Sequence, residues 1–194
     1  MQQQLARNQG FIARQIDSAF ELTGDASPQV GQYSTRVHHV DKNGKPVREL
    51  IASSKEAAQA YKMDAMSLSL GVLAANRPEE FLLSPSSIVF VRDEAFDGVA
   101  ASVYEVKTSV GKGIYPTVAM IWVRQKDATP IKIEGVIDKL PLPGIKKAQF
   151  VLRYATASNG LTLPGAIQIN YAVSIFFQSG KVSFLQTFSD WGNG

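Results

Sequence analysis

Between Thr117 and Phe188 five runs of β-branched and aromatic residues follow one another: VAMIWVR (118–124), PIKIEGVID (130–138), AQFVLRYAT (148–156), GAIQINYAVSIFF (165–177) and KVSFLQTF (181–188). The breaks between them carry DAT, PLPG, ASNG and QSG. Runs of this length with such punctuation predict an antiparallel meander. The longest run is the most informative. Ile167, Ile169, Tyr171, Val173, Ile175 and Phe177 fall on one face of a strand, and Ala166, Gln168, Asn170, Ala172 and Ser174 fall on the other. A continuous apolar face of that length has to be covered, either by ordinary core packing or, in part, by an apolar guest.

Upstream, the spacing predicts a helix over 4–22, with Leu5, Ile12, Ile16, Ala19 and Phe20 on one side and a stop at Thr23-Gly24-Asp25. Residues 30–52 read as a hairpin around Asn43-Gly44. A second helix is predicted over 54–76, capped by Ser54, Ala-rich, and carrying Tyr61, Met63, Met66, Leu70 and Leu73. Two further strands flank Phe96-Asp97-Gly98 and open a strand meander over 87–188. The expected fold is α+β, one domain over 1–194, with about nine antiparallel strands and two helices. Twist accumulates over so many strands and curls the sheet, so the two helices are expected to lie on its concave face.

Composition narrows the function classes. Of the 194 residues, 45% are hydrophobic and 19% charged, which suits one domain with a substantial core. The net charge is +3, but Lys and Arg alternate with Asp and Glu and form no basic run, which argues against nucleic acid as a partner. A weak attraction to an anionic lipid surface is compatible with that charge. There is no cysteine, which excludes thiol catalysis, disulfides and cysteine metal sites. The first ten residues, MQQQLARNQG, lack the apolar stretch of a signal peptide; for an exported protein, a signal removed ahead of Met1 is the expectation.

Reactive constellations are weak. His38 and His39 are adjacent on a predicted strand and point to opposite faces, which is unsuited to chelating one metal. Asp93, Glu94 and Asp97 surround a turn and read as surface charges. Ser84, Ser86 and Ser87 lack a nucleophile-elbow context, and Gly111-Lys112-Gly113 lacks the spacing of a phosphate loop. No enzyme activity, cofactor or metal is expected.

Several segments resemble one known family. FDGVAASVYEVK (96–107), TVAMIWVRQKDATPIKIEGV (117–136), AQFVLRYATASNGLTLPGAIQI (148–169) and the closing SGKVSFLQTF are similar to the outer-membrane lipoprotein carrier and sorting (LolA/LolB-like) superfamily. A Gly-preceded strand ending on apolar-Lys, Trp122 ahead of a turn left through Pro130-Ile131-Lys132, and Leu163-Pro164 before a late strand carry the likeness over 96–177. The resemblance implies an unclosed half-barrel with a helical lid over a hydrophobic cavity. It further implies a periplasmic protein that binds a lipid or the acyl chain of a lipoprotein in transport, or that senses lipid. In the carriers a buried Arg on an early strand bonds to the lid; Arg36 has that position, but its neighbours Ser34 and His38 are polar and the role is not transferred.

The residues expected to line the cavity are Met63, Met66, Leu70 and Leu73 from the second helix, and Trp122, Ile133, Phe150, Leu152, Tyr154, Tyr171, Val173 and Ile175 from the sheet. The expected partners are a lipid or acylated protein, with an envelope protein or membrane surface beside it, and the chain is expected to be a monomer. Two other readings stay open. One is a protein-interaction or sensory module on the same fold with a self-filled cavity. The other is a cone-shaped helix-and-sheet fold of the kind used by small-molecule isomerases.

Overall fold

The computed structural model describes residues 10–24, 29–40, 46–54, 85–108, 117–138, 147–157, 160–175 and 178–193. They form ten strands: β1 (Phe11–Gly24), β2 (Gln29–Val40), β3 (Pro46–Ser53), β4 (Ser87–Phe96), β5 (Val99–Thr108), β6 (Thr117–Arg124), β7 (Pro130–Asp138), β8 (Lys147–Thr156), β9 (Thr162–Ile175) and β10 (Gln178–Asn193). All ten belong to one antiparallel sheet in the order β3-β2-β1-β10-β9-β8-β7-β6-β5-β4. Seven strands run as a meander from β4 to β10. β10 then lies along β1, from Phe11 opposite Asn193 to Gly24 opposite Gly180, and joins the first three strands to the other seven. Among the described residues the sheet is unclosed, with β3 and β4 as its edges.

This corrects the expected α+β class. The described residues are all-β, and the two-helix lid is not seen. Residues 11–22 of the helix expected over 4–22 lie in β1, which is why there are ten strands rather than nine. The cause lies in a shared periodicity. Ile12, Ile16 and Phe20 are four residues apart, and positions four apart share a face on a helix and on a strand alike. The ladder to β10 on one side and β2 on the other selects the strand. The predicted helix over 54–76 falls, apart from Ser54, outside the described residues.

Local chemistry sets the turns. Asp97 and Gly98 have φ of 50° and 76°, the paired positive values of the tight hairpin turn that joins β4 to β5. The β6–β7 turn is closed by Ala128 N–H to Arg124 O at 2.9 Å and by Thr129 N–H to the Asp127 carboxylate at 3.1 Å. The Thr129 hydrogen bonds, ahead of the nearby Arg124 charge, hold the Asp127 carboxyl below the usual carboxylate range.

One face of the sheet carries the main core. Ile12, Ile16, Val37, Val106, Ile121, Ile133, Ile137, Phe150, Leu152, Ile167, Ile169 and Phe188 are buried there as one cluster. The face is built from registered rows. Phe90, Tyr104, Ile121, Ile133, Leu152, Ile167, Gln186, Ser18, Tyr33 and Ser53 stand side by side, one from each of the ten strands. The neighbouring row includes Ala119, Gly135 and Phe150. A Cβ at Gly135 would stand 2.9 Å from the Phe150 ring and 2.8 Å from the Val118 carbonyl, so the absence of a side chain lets the ring lie over the strand.

Candidate functional site

The core face carries most of the described residues expected to line a cavity, and its chemistry is apolar over most of its width. Ile121, Ile133, Leu152 and Ile167 are each 0% exposed in adjacent strands. Their environment comes from alternation over 133–137 in β7, 148–152 in β8 and 167–169 in β9, where every second residue turns away. One gap interrupts the row. Between Ile167 and Tyr33 stand Gln186 and Ser18, both buried, and the Gln186 amide donates to the Ser18 hydroxyl at 3.2 Å. Thr35 is diagonal to them, two residues along β2 from Tyr33. Its side chain is fully buried, and its hydroxyl has no hydrogen-bond partner among the described residues. A buried hydroxyl left in this state costs about 1–3 kcal/mol, so the gap offers an unused polar group inside an apolar surface.

The residues expected from sequence divide into four groups. Ile133, Phe150 and Leu152 are buried together in the core cluster, and Tyr154 and Tyr171 pack against it half-buried. Trp122 is elsewhere. It points to the opposite face, in a separate cluster with Ala101, Val103, Phe96, Met120 and Ile131. There its indole N–H donates to Glu94, and the Lys132 ammonium lies 4.3 Å from its ring centroid. Val173 and Ile175 belong to β9, but the description of their side chains is outside the described set. Met63, Met66, Leu70 and Leu73 lie outside the described residues.

Sequence reasoning missed the polar gap and the contribution of β1, β2 and β10 to the face. A signal existed in KVSFLQTF, where Gln186 takes the parity of Val182, Phe184 and Phe188. Ser18 was hidden because the helix expected over 4–22 places it on a polar side. Arg36 points away from the core face and is exposed, with its guanidinium 4.0 Å from Glu49. His38 meets the same carboxylate at 3.1 Å. Among the described residues no three His, Asp or Glu side chains converge as a metal-ligand set.

The opposite face also has a feature. A groove of about 670 Å³ runs across β8, β9, β10 and β1, lined by Lys147, Gln149, Asn170, Lys181, Ser183 and Glu21 among others. Its lining is mixed in charge, and Lys147 is paired with Asp138 at 3.4 Å.

Neither a family model nor a curated protein matches this sequence. Seven solved chains are similar in structure. A DUF1329 family protein from Desulfovibrio piger aligns with a TM-score of 0.49 and 11% identity, over 99% of this chain and 91% of that one. A Vibrio parahaemolyticus domain named for outer membrane lipoprotein sorting aligns with a TM-score of 0.43 and 12% identity, over 99% and 89%. MucB in complex with MucA aligns with a TM-score of 0.27 and 8% identity, over 96% and 92%.

Proposed function

We propose that this chain is a non-enzymatic cell-envelope protein, periplasmic in location, that holds a lipid or the acyl chain of a lipoprotein against the core face of its sheet. The observation that carries the reading is the registered row of Tyr104, Ile121, Ile133, Leu152 and Ile167, a largely aliphatic surface with one aromatic ring at its end. Each methylene removed from water onto such a surface contributes about 0.8 kcal/mol, so an acyl chain gains affinity with length. The polar end of the ligand is assigned to the gap at Ser18, Thr35 and Gln186, where an ester or carboxyl group can take up the Thr35 hydroxyl. The sequence motifs over 96–177 support the same class of ligand.

The alternative, an interaction or sensory module with a self-filled interior, is favoured by one observation. Ile121, Ile133, Leu152 and Ile167 have no exposure at all, so a guest competes with contacts the protein already makes. Native mass spectrometry of the protein as purified from cells separates the two. A co-purifying lipid mass supports ligand holding, and an unliganded spectrum that stays unchanged after incubation with lipopeptide supports the self-filled module.

A further inference from the structure

Among the described residues, β4 is paired on one side only and ends the sheet. Ile88, Val89, Phe90 and Val91 along it are 42, 54, 54 and 43% exposed. Ile88 and Phe90 share the face of their partners Val106 and Tyr104, and Val89 points to the other, so the edge is apolar on both sides. Natural edges of this kind are normally blunted by Lys, Pro or an inward charge, because their outer N–H and C=O groups are a template for another strand. The run 88–91 has none of these. The first charge beyond it, Arg92, is turned along its own strand to Glu94 at 2.8 Å. The other edge differs. On β3 the exposed Val47, Leu50 and Ile51 are interrupted by Arg48 and Glu49.

We propose that β4 is an interaction surface for β4 of a second copy of this chain, paired antiparallel across a two-fold axis at Val89. The strand is self-complementary in that register. A two-fold axis perpendicular to the sheet brings residues of like face into opposition, so Val89 meets Val89, and Ile88 of each copy meets Phe90 of the other. These are aromatic and β-branched cross-strand pairs, which are among the favourable ones. Arg92 falls opposite Ser86, and no like charges are opposed. The extra residue at Val91, where the β4–β5 register shifts, ends the regular ladder beyond the apolar run. Pairing β4 with itself closes the assembly at two copies, whereas β4 on β3 would propagate a filament. The contact is smaller than the roughly 1,200 Å² of a standard interface, so the dimer dissociates in the micromolar range or above. This replaces the monomer expected from sequence. β4 lies at the open end of the core face, so the proposal stands or falls independently of ligand holding.

The chain has no cysteine, which makes a direct test available. Two Val89→Cys copies would have Cα atoms about 5 Å apart, within the span of a disulfide. Under copper–phenanthroline and oxygen, Val89→Cys is expected to cross-link to a dimer, and Val47→Cys on the other edge to remain single. Sedimentation of the unmodified protein should show a monomer–dimer equilibrium that Phe90→Lys weakens at least tenfold, with an unchanged circular-dichroism spectrum. A strictly monomeric protein at about 1 mM, equal cross-linking at both positions, or growth beyond a dimer would overturn the proposal.

Discussion

Gln186 shows how much one residue can decide in an apolar row. Its buried amide is tolerable because Ser18 accepts its hydrogen bond across the β1–β10 ladder. Removing one partner should therefore be worse than removing both. Ser18→Ala strands the amide and is expected to destabilise by about 1–3 kcal/mol, while Ser18→Ala with Gln186→Leu should recover most of that loss. Urea denaturation of the two single variants and the double variant measures this, and additive effects would contradict it. Glu94 is the matching case for charge. Its carboxyl is held below the usual range, first by the hydrogen bond from Arg92 and then by that from the Trp122 indole. A carboxyl with a lowered folded-state pKa adds stability that is complete above its unfolded value of about 4.3 and is lost as pH falls through the folded value. Stability should thus fall more steeply below about pH 4 in the wild type than in Glu94→Gln, and parallel acid titrations of the two would argue against this.

At the scale of elements, β10 does most to hold the sheet together, since among the described strands it alone connects β1–β3 to the rest of the meander. Phe188 sits in that seam, buried and opposite Ile16. Phe188→Ala is expected to cost about 3–5 kcal/mol. Hydrogen exchange should rise more in β1–β3 than in β6–β8, and uniform acceleration would show that the seam is no weaker than the rest. The same element explains what could be read from sequence. β6 to β10 were legible because polar breaks bounded them, and in β7 to β10 most of the apolar residues alternated. β1 was not, because Ile12, Ile16 and Phe20 satisfy two periodicities and the strand is defined by a partner at the far end of the chain. Within β6, apolar side chains occupy both parities of VAMIWVR, so nothing local told Ile121, on the core face, from Trp122, on the other.

At the scale of the whole molecule, the described residues form a single sheet whose one face is apolar across most of its width and broken by one polar gap. That Ile133, Phe150 and Leu152 of β7 and β8 share one buried face followed from strand parity. The gap at Ser18, Thr35 and Gln186 did not, because it is assembled from three strands that the chain brings together only on folding. The most direct measurement is titration of the purified protein with a fluorescent fatty acid, alongside Tyr171→Glu, which places a charge beside the core face at a half-buried position. Saturable binding by the wild type, weakened at least tenfold in a Tyr171→Glu protein that keeps its circular-dichroism spectrum, is the predicted result. No saturable binding by the wild type, or equal binding by both proteins, would contradict the claim that this face holds an acyl chain.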